Sequence, residues 1–156
     1  MLPKGGRKLV KKYAVGFALS FGMLILLLII NAQIYHRVMP LSAPIIFLSL
    51  HVVVYTYLLP EKRYGAYSFF VLVVAATIFF SLPEFTHEQA QERILTTYGQ
   101  DLDLMEQDNL PLDREDTWHP FAPSWGYAFL GTVPSSNEHT SLLFIPDTGR
   151  IIEIAP

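Results

Sequence analysis

Three long apolar runs fill the first half of the chain, and shorter patterned segments fill the second. The runs cover residues 13–35, 42–59 and 64–82, and the first carries no charge at all. As helices rising about 1.5 Å per residue they extend roughly 34, 27 and 28 Å, against a hydrocarbon core of about 30 Å. The bilayer core offers no water to the backbone, so an apolar run inside it must satisfy its own N–H and C=O groups as a helix. The pattern therefore predicts three transmembrane helices. Pro44 falls in the first turn of the second, where a missing N–H costs nothing, and Pro40, Pro60 and Pro83 mark ends.

Beyond Pro83 the pattern changes. Thr86-His87-Glu88-Gln89 has the spacing of a capping box, with Phe85 and Ala90 at the positions of a hydrophobic staple. Ala90, Ile94, Leu95 and Tyr98 make one apolar stripe, and Gly99 supplies the stop. After this helix of about three turns the period becomes two. Leu102 and Leu104 alternate with Asp101, Asp103 and Met105, and Tyr127, Phe129, Gly131 and Val133 alternate with Ala128, Leu130 and Thr132. Two further strands, 141–145 and 150–155, flank Pro146-Asp147-Thr148-Gly149, where Gly149 suits the left-handed position of a bulged hairpin. The expected fold is a membrane α-helical domain of three transmembrane helices over 1–83, followed by a small α+β domain over 84–156 with one helix on an antiparallel sheet. So short a domain sits near the lower limit for folding alone, and packing on the membrane or on a partner helps it.

Charge sharpens the division. Of 156 residues 51% are hydrophobic and only 16% charged. Residues 1–83 hold eight basic residues and one acid, Glu61, whereas 84–156 hold 13 acids and three basic residues. The N-terminal tail carries five Lys and Arg and the 60–63 loop two, against Arg37 alone in the 36–41 loop. The positive-inside rule then keeps the N-terminus cytoplasmic and, after three crossings, puts the acidic half outside the plasma membrane. The lipid bilayer is the first partner. The first run is too long, and Ile30-Asn31-Ala32 too poor a cleavage site, for a cleaved signal peptide. With no cysteine the chain has no disulfide, thiolate metal site, thiol nucleophile or lipobox-type anchor. An exported domain without cysteine fits a Gram-positive surface. The negative charge of 84–156 repels phosphate and argues against nucleic-acid binding.

The capped helix opening at Thr86, the two-strand middle and the terminal Phe144-Ile145-Pro146-Asp147-Thr148-Gly149-Arg150-Ile151-Ile152 resemble a PepSY domain. The likeness covers the C-terminal half only. Two departures stand out: Asp147 is adjacent to Thr148, which shortens the hairpin, and 109–124 reads as an insertion. The resemblance implies an extracytoplasmic module that binds or restrains a partner such as a protease, with no common catalytic residues to carry over.

Within the insertion and at its end, Trp118, Phe121 and Trp125 suit partner binding or interfacial docking, because rigid aromatic rings bury much area at little entropic cost. The plainer reading makes them cover for an open sheet face. In the membrane half His51 is an ionisable group near the middle of a predicted span, with Tyr55 one turn away. Its plainer reading is a neutral imidazole hydrogen-bonded to a neighbouring helix. Gly16/Ser20 and Ala18/Gly22 are small-xxx-small pairs that permit close helix packing. His87, His119 and His139 lie near Glu88, Asp116 and Glu138, but without metal-ligand spacing, so no metal site is expected. The acid pairs Asp101/Asp103 and Glu115/Asp116 read as a solvated face. No nucleophile elbow, phosphate loop or HExxH motif occurs, so neither an enzyme nor a cofactor is expected. The leading expectation is a membrane protein that displays a binding or regulatory module to a peptidase, an exported protein or a cell-envelope component. The alternative is an accessory subunit of a transporter or sensor complex that works through its helices.

Overall fold

The computed structural model describes residues 4–99, 101–112, 119–133 and 138–154, with side chains from Tyr13 onward and excluding those of Val133 and Glu138. The described chain divides into two compact units, Met1–Ile29 with Leu41–Ser81 and Ile30–Pro40 with Leu82–Pro156.

The first unit is helical. It holds most of α1 (Lys4–Gln33) together with α2 (Ser42–Leu58) and α3 (Tyr64–Phe80). The expectation of three membrane crossings is overturned here. Among the described residues only Tyr13–Gln33, 21 residues within α1, is long and apolar enough to cross a membrane. In its apolar window only 17% is buried, unlike the core helix of a globular domain. Helices α2 and α3 have 17 residues each, about 26 Å, which falls short of a core of about 30 Å. Local chemistry sets these lengths. Helix α2 closes in a Schellman pattern, with Arg63 N–H donating to Leu58 O and Lys62 N–H to Leu59 O, at the cost of a left-handed Lys62 (φ 58°). Helix α3 stops where both the N–H and the hydroxyl of Ser81 bond Thr77 O, two residues before Pro83. Among the described residues, multiple crossings are therefore not supported. These helices are one N-terminal apolar helix of spanning length and two shorter apolar helices.

Three helices meet through small and polar residues. A Cβ on Gly16 would come within 2.9 Å of the Tyr55 ring, so only glycine admits this approach, whereas Gly22 has nothing within 4 Å. Of the two small-residue pairs, Gly16/Ser20 is buried and Ala18/Gly22 is exposed.

In the second unit the polypeptide from Ile30 to Pro40 joins α4 (His87–Tyr98) and five strands: β1 (Asp103–Glu106), β2 (Leu110–Pro111), β3 (Trp125–Val133), β4 (Glu138–Phe144) and β5 (Ile151–Ile154). All pairings are antiparallel, in the order β1-β3-β4-β5, with β2 also on β3. Strand β3 carries two short partners in succession, β1 opposite Phe129–Thr132 and β2 opposite Trp125–Gly126. The stretch read as an insertion is therefore partly sheet: Leu110 and Pro111 pair with Gly126 and Trp125, and Leu112 N–H donates to Ser124 O. Prolines and a two-residue length hid this strand from the period-two pattern.

Alternation sends Tyr127 and Phe129 of β3, and Leu142 and Phe144 of β4, onto Ala90 and Ile94 of α4. Each of these large side chains is essentially fully buried, worth about 1.5–3 kcal/mol apiece before entropy is counted. Val38 completes this core although it lies far upstream, and Tyr35 packs at its rim. The 36–41 loop, expected merely to join two membrane helices, contributes instead to the sheet unit.

Helix α4 begins as the sequence reading has it. Thr86 accepts a hydrogen bond from Gln89 N–H, and Gln89 Oε1 accepts from Thr86 N–H at 2.9 Å. Gly149 takes φ 66° in the last hairpin, where a Cβ would meet the Phe85 ring at 2.9 Å.

Candidate functional site

A polar concavity of the second unit lies where the segment after α1, the first turn of α4 and the end of β1 meet. It is a cavity of about 290 Å³ lined by His36, Arg37, His87, Glu106, Asp108 and Asn109, among others.

Its geometry starts with backbone strain. His36 and Arg37 are successive left-handed residues, with φ 42° and 70°, and each such residue costs about 1 kcal/mol or more. Hydrogen bonds hold the turn: Arg37 N–H donates to Asn31 O at 2.8 Å, Met39 N–H to the buried Asn31 Oδ1 at 3.0 Å, and Asn109 Nδ2 to His36 O. The result lays the His36 imidazole flat on that of His87, with centroids 3.7 Å apart and planes within 6°. His87 is itself fixed. Its backbone N–H donates to Ile34 O, and its buried ring stands edge-on to Tyr127 and tilted against Phe129, each at 5.2 Å.

Electrostatics follow from this packing. Burial pushes the His87 pKa below its ordinary value, and a charge on His36 would push it further. Glu106 opposes both, with Oε1 at 3.5 Å from His87 Nδ1. The same oxygen accepts from Gln91 Nε2 at 3.2 Å. His36, His87 and Glu106 bring one potential ligand atom each to within 4.8 Å of one another. Chemically the site offers two imidazole lone pairs and an anionic oxygen, open on one side to solvent.

No family model matches this chain. Nor does any curated protein or solved structure. The PepSY resemblance of 84–156 therefore rests on its capped helix, two-strand middle and terminal hairpin alone.

Of the residues singled out from sequence, His51 and Tyr55 are brought together within the first unit. Trp118 lies outside the described residues. Phe121 and Trp125 are 36% and 46% exposed, and Trp125 is the first residue of β3. His51 is buried in the first unit with both ring nitrogens engaged, Nδ1 with Ser20 Oγ at 2.8 Å and Nε2 with Tyr67 OH at 3.0 Å. These bonds tie α2 to α1 and to α3, while Tyr55 packs 6.0 Å from the His51 ring and edge-on to Tyr67. His119 and His139 are exposed, and His139 bonds Thr132 Oγ1. Asp101 and Asp103 are exposed as well, whereas Glu115 and Asp116 lie outside the described residues.

Sequence reasoning missed His36 and Glu106. Neither sits in a motif, and only the left-handed turn after α1 carries His36 to a partner so distant along the chain.

Proposed function

We propose that the chain is a membrane-tethered binding module: α1 anchors it as a single span with the basic tail in the cytoplasm, and the sheet unit binds a protein partner outside. Support for the anchor comes from the uncharged run of α1 behind five Lys and Arg. A PepSY-like role for residues 84–156 is part of the same reading.

The observation that carries the binding role is the sheet face turned away from α4. Register puts Met105, Leu130 and Ile154 on one row across that face and Ala128, Leu143 and Ile152 on the next. Met105 and Ile152 are 58% and 39% exposed, on β1 and β5 at opposite edges of the sheet, and Ser141 is the one polar residue in the first row. Apolar side chains spread across one sheet face support an interaction site there. A segment with apolar side chains and basic flanks complements it in polarity and charge.

A photo-reactive residue at Ile152 tests this in intact cells. The expected result is a discrete protein adduct that disappears when Met105→Glu is added in a chain that still folds. Adducts to lipid alone, or an adduct indifferent to Met105→Glu, would contradict it. The alternative, action through the helices, loses support from His51, whose two nitrogens are already used between helices.

A further inference from the structure

We propose that His36, His87 and Glu106 bind one divalent transition-metal ion of the zinc class. The proposal goes beyond the binding role above and departs from the expectation of no metal site.

The donor set argues for this class of ion. Two imidazoles and one carboxylate suit Zn²⁺, Cu²⁺ or Ni²⁺, whereas Ca²⁺ and Mg²⁺ take oxygen shells and soft Cu⁺ takes sulfur. Three protein ligands with an open fourth position is also the arrangement of zinc sites that keep a water or an external ligand. Here the open side is the cavity of about 290 Å³, where Asp108 adds a second carboxylate and Arg37 is exposed at the rim.

Geometry supplies the rest. The three ligand atoms already lie within 4.8 Å of one another. Tetrahedral bonds of about 2.0–2.1 Å need the donors roughly 3.3 Å apart, so the site must tighten by an ångström or so. The Glu106 side chain is 54% exposed and can turn on its flexible stem to do this. An imidazole lone pair lies in its ring plane, so the parallel stacked rings must also splay: His87 is held between Tyr127 and Phe129, and the half-buried His36 ring is the one that turns, on a backbone fixed by Asn31 and Asn109. Gln91 donates to Glu106 and orients it, as the outer partners of metal-binding carboxylates do. Two stacked histidines facing a carboxylate, kept in place by a left-handed turn, have no packing requirement that an apolar pair would not meet better.

The test uses the full chain in detergent micelles, stripped with a chelator and titrated calorimetrically with zinc chloride. The expected result is one saturable site per chain, weakened at least tenfold by His36→Ala and by Glu106→Gln, and unchanged by His119→Ala and His139→Ala. Loading with Cu²⁺ gives a second readout, in which the electron paramagnetic resonance spectrum shows couplings to two imidazole nitrogens, one of them lost in His36→Ala. Glu106→Gln alters an exposed side chain and carries the test if His36→Ala fails to fold. Absence of saturable binding would overturn the proposal, as would equal affinity in wild type and Glu106→Gln.

Discussion

The imidazole of His36 lies face to face with that of His87 at 3.7 Å, across a long stretch of sequence that includes two apolar helices. Asn31 is what makes this contact possible, because its backbone and side-chain oxygens hold Arg37 N–H and Met39 N–H in the strained turn. Asn31→Leu leaves a buried N–H of Met39 without its acceptor, so a loss of about 1–3 kcal/mol is expected for the sheet unit. Urea titration followed by the fluorescence of the two tryptophans, Trp118 and Trp125, measures it. An unchanged midpoint would mean that the turn holds without Asn31.

Helix packing in the first unit depends on which small residue faces a neighbour. Gly16→Val drives a side chain into Tyr55, an overpacking expected to cost about 1–3 kcal/mol. Gly22→Val carries the same change in helix propensity into open space, and its cost should stay within about 0.5 kcal/mol of that baseline. Limited proteolysis of the two variants compares them. Equal sensitivity would show that the Gly16–Tyr55 approach does not matter.

The last hairpin makes a similar demand through backbone conformation. Gly149 has φ 66° and lies against Phe85, over which the Arg93 guanidinium sits at 5.2 Å. Gly149→Val combines left-handed strain with a clash, and a loss of about 2 kcal/mol or more is expected. Thermal melting followed by circular dichroism reads this loss. Thr86→Ala, which removes the cap of α4, should lower stability by about 1 kcal/mol in the same assay.

Alkaline pH gives a fourth test. Tyr127 is fully buried, and its hydroxyl donates to Phe85 O at 3.3 Å. Burial, and secondarily the charge on Tyr35, raise its pKa well above the ordinary 10.0. The unfolded chain therefore loses this proton first as pH climbs past 10, and the folded state loses stability from there upward. Below pH 10 the contribution is complete. Tyr127→Phe should flatten this alkaline slope, at a cost near neutrality of about 1 kcal/mol for the missing hydrogen bond.

Much of this architecture was legible because it is local. The capping box at Thr86, the stripe of α4 through Ala90 and Ile94, the alternation of β3 and the left-handed Gly149 all depend on residues within a few positions of one another. Length was harder to read. The apolar pattern ran on through residue 59 and residue 82, whereas α2 and α3 end at Leu58 and Phe80 with 17 residues each, and among the described residues only Tyr13–Gln33 is of spanning length. Non-local features were not legible at all. Val38 enters the core of a sheet formed some ninety residues later, and His36 meets His87 and Glu106, through a turn built from non-glycine left-handed residues that sequence gives no reason to expect. Strand β2 escaped because its two residues are too few to show a period.

Since the chain has no cysteine, single cysteines can be placed without background and probed in intact cells with a thiol reagent that does not cross membranes. One anchoring span at α1 requires that Thr148→Cys in the sheet unit and Glu61→Cys between α2 and α3 both react from outside, while Lys8→Cys reacts only after permeabilisation. Labelling of Lys8→Cys in intact cells, or protection of Glu61→Cys or Thr148→Cys from the reagent, would contradict a single anchor delivering the binding module across the membrane.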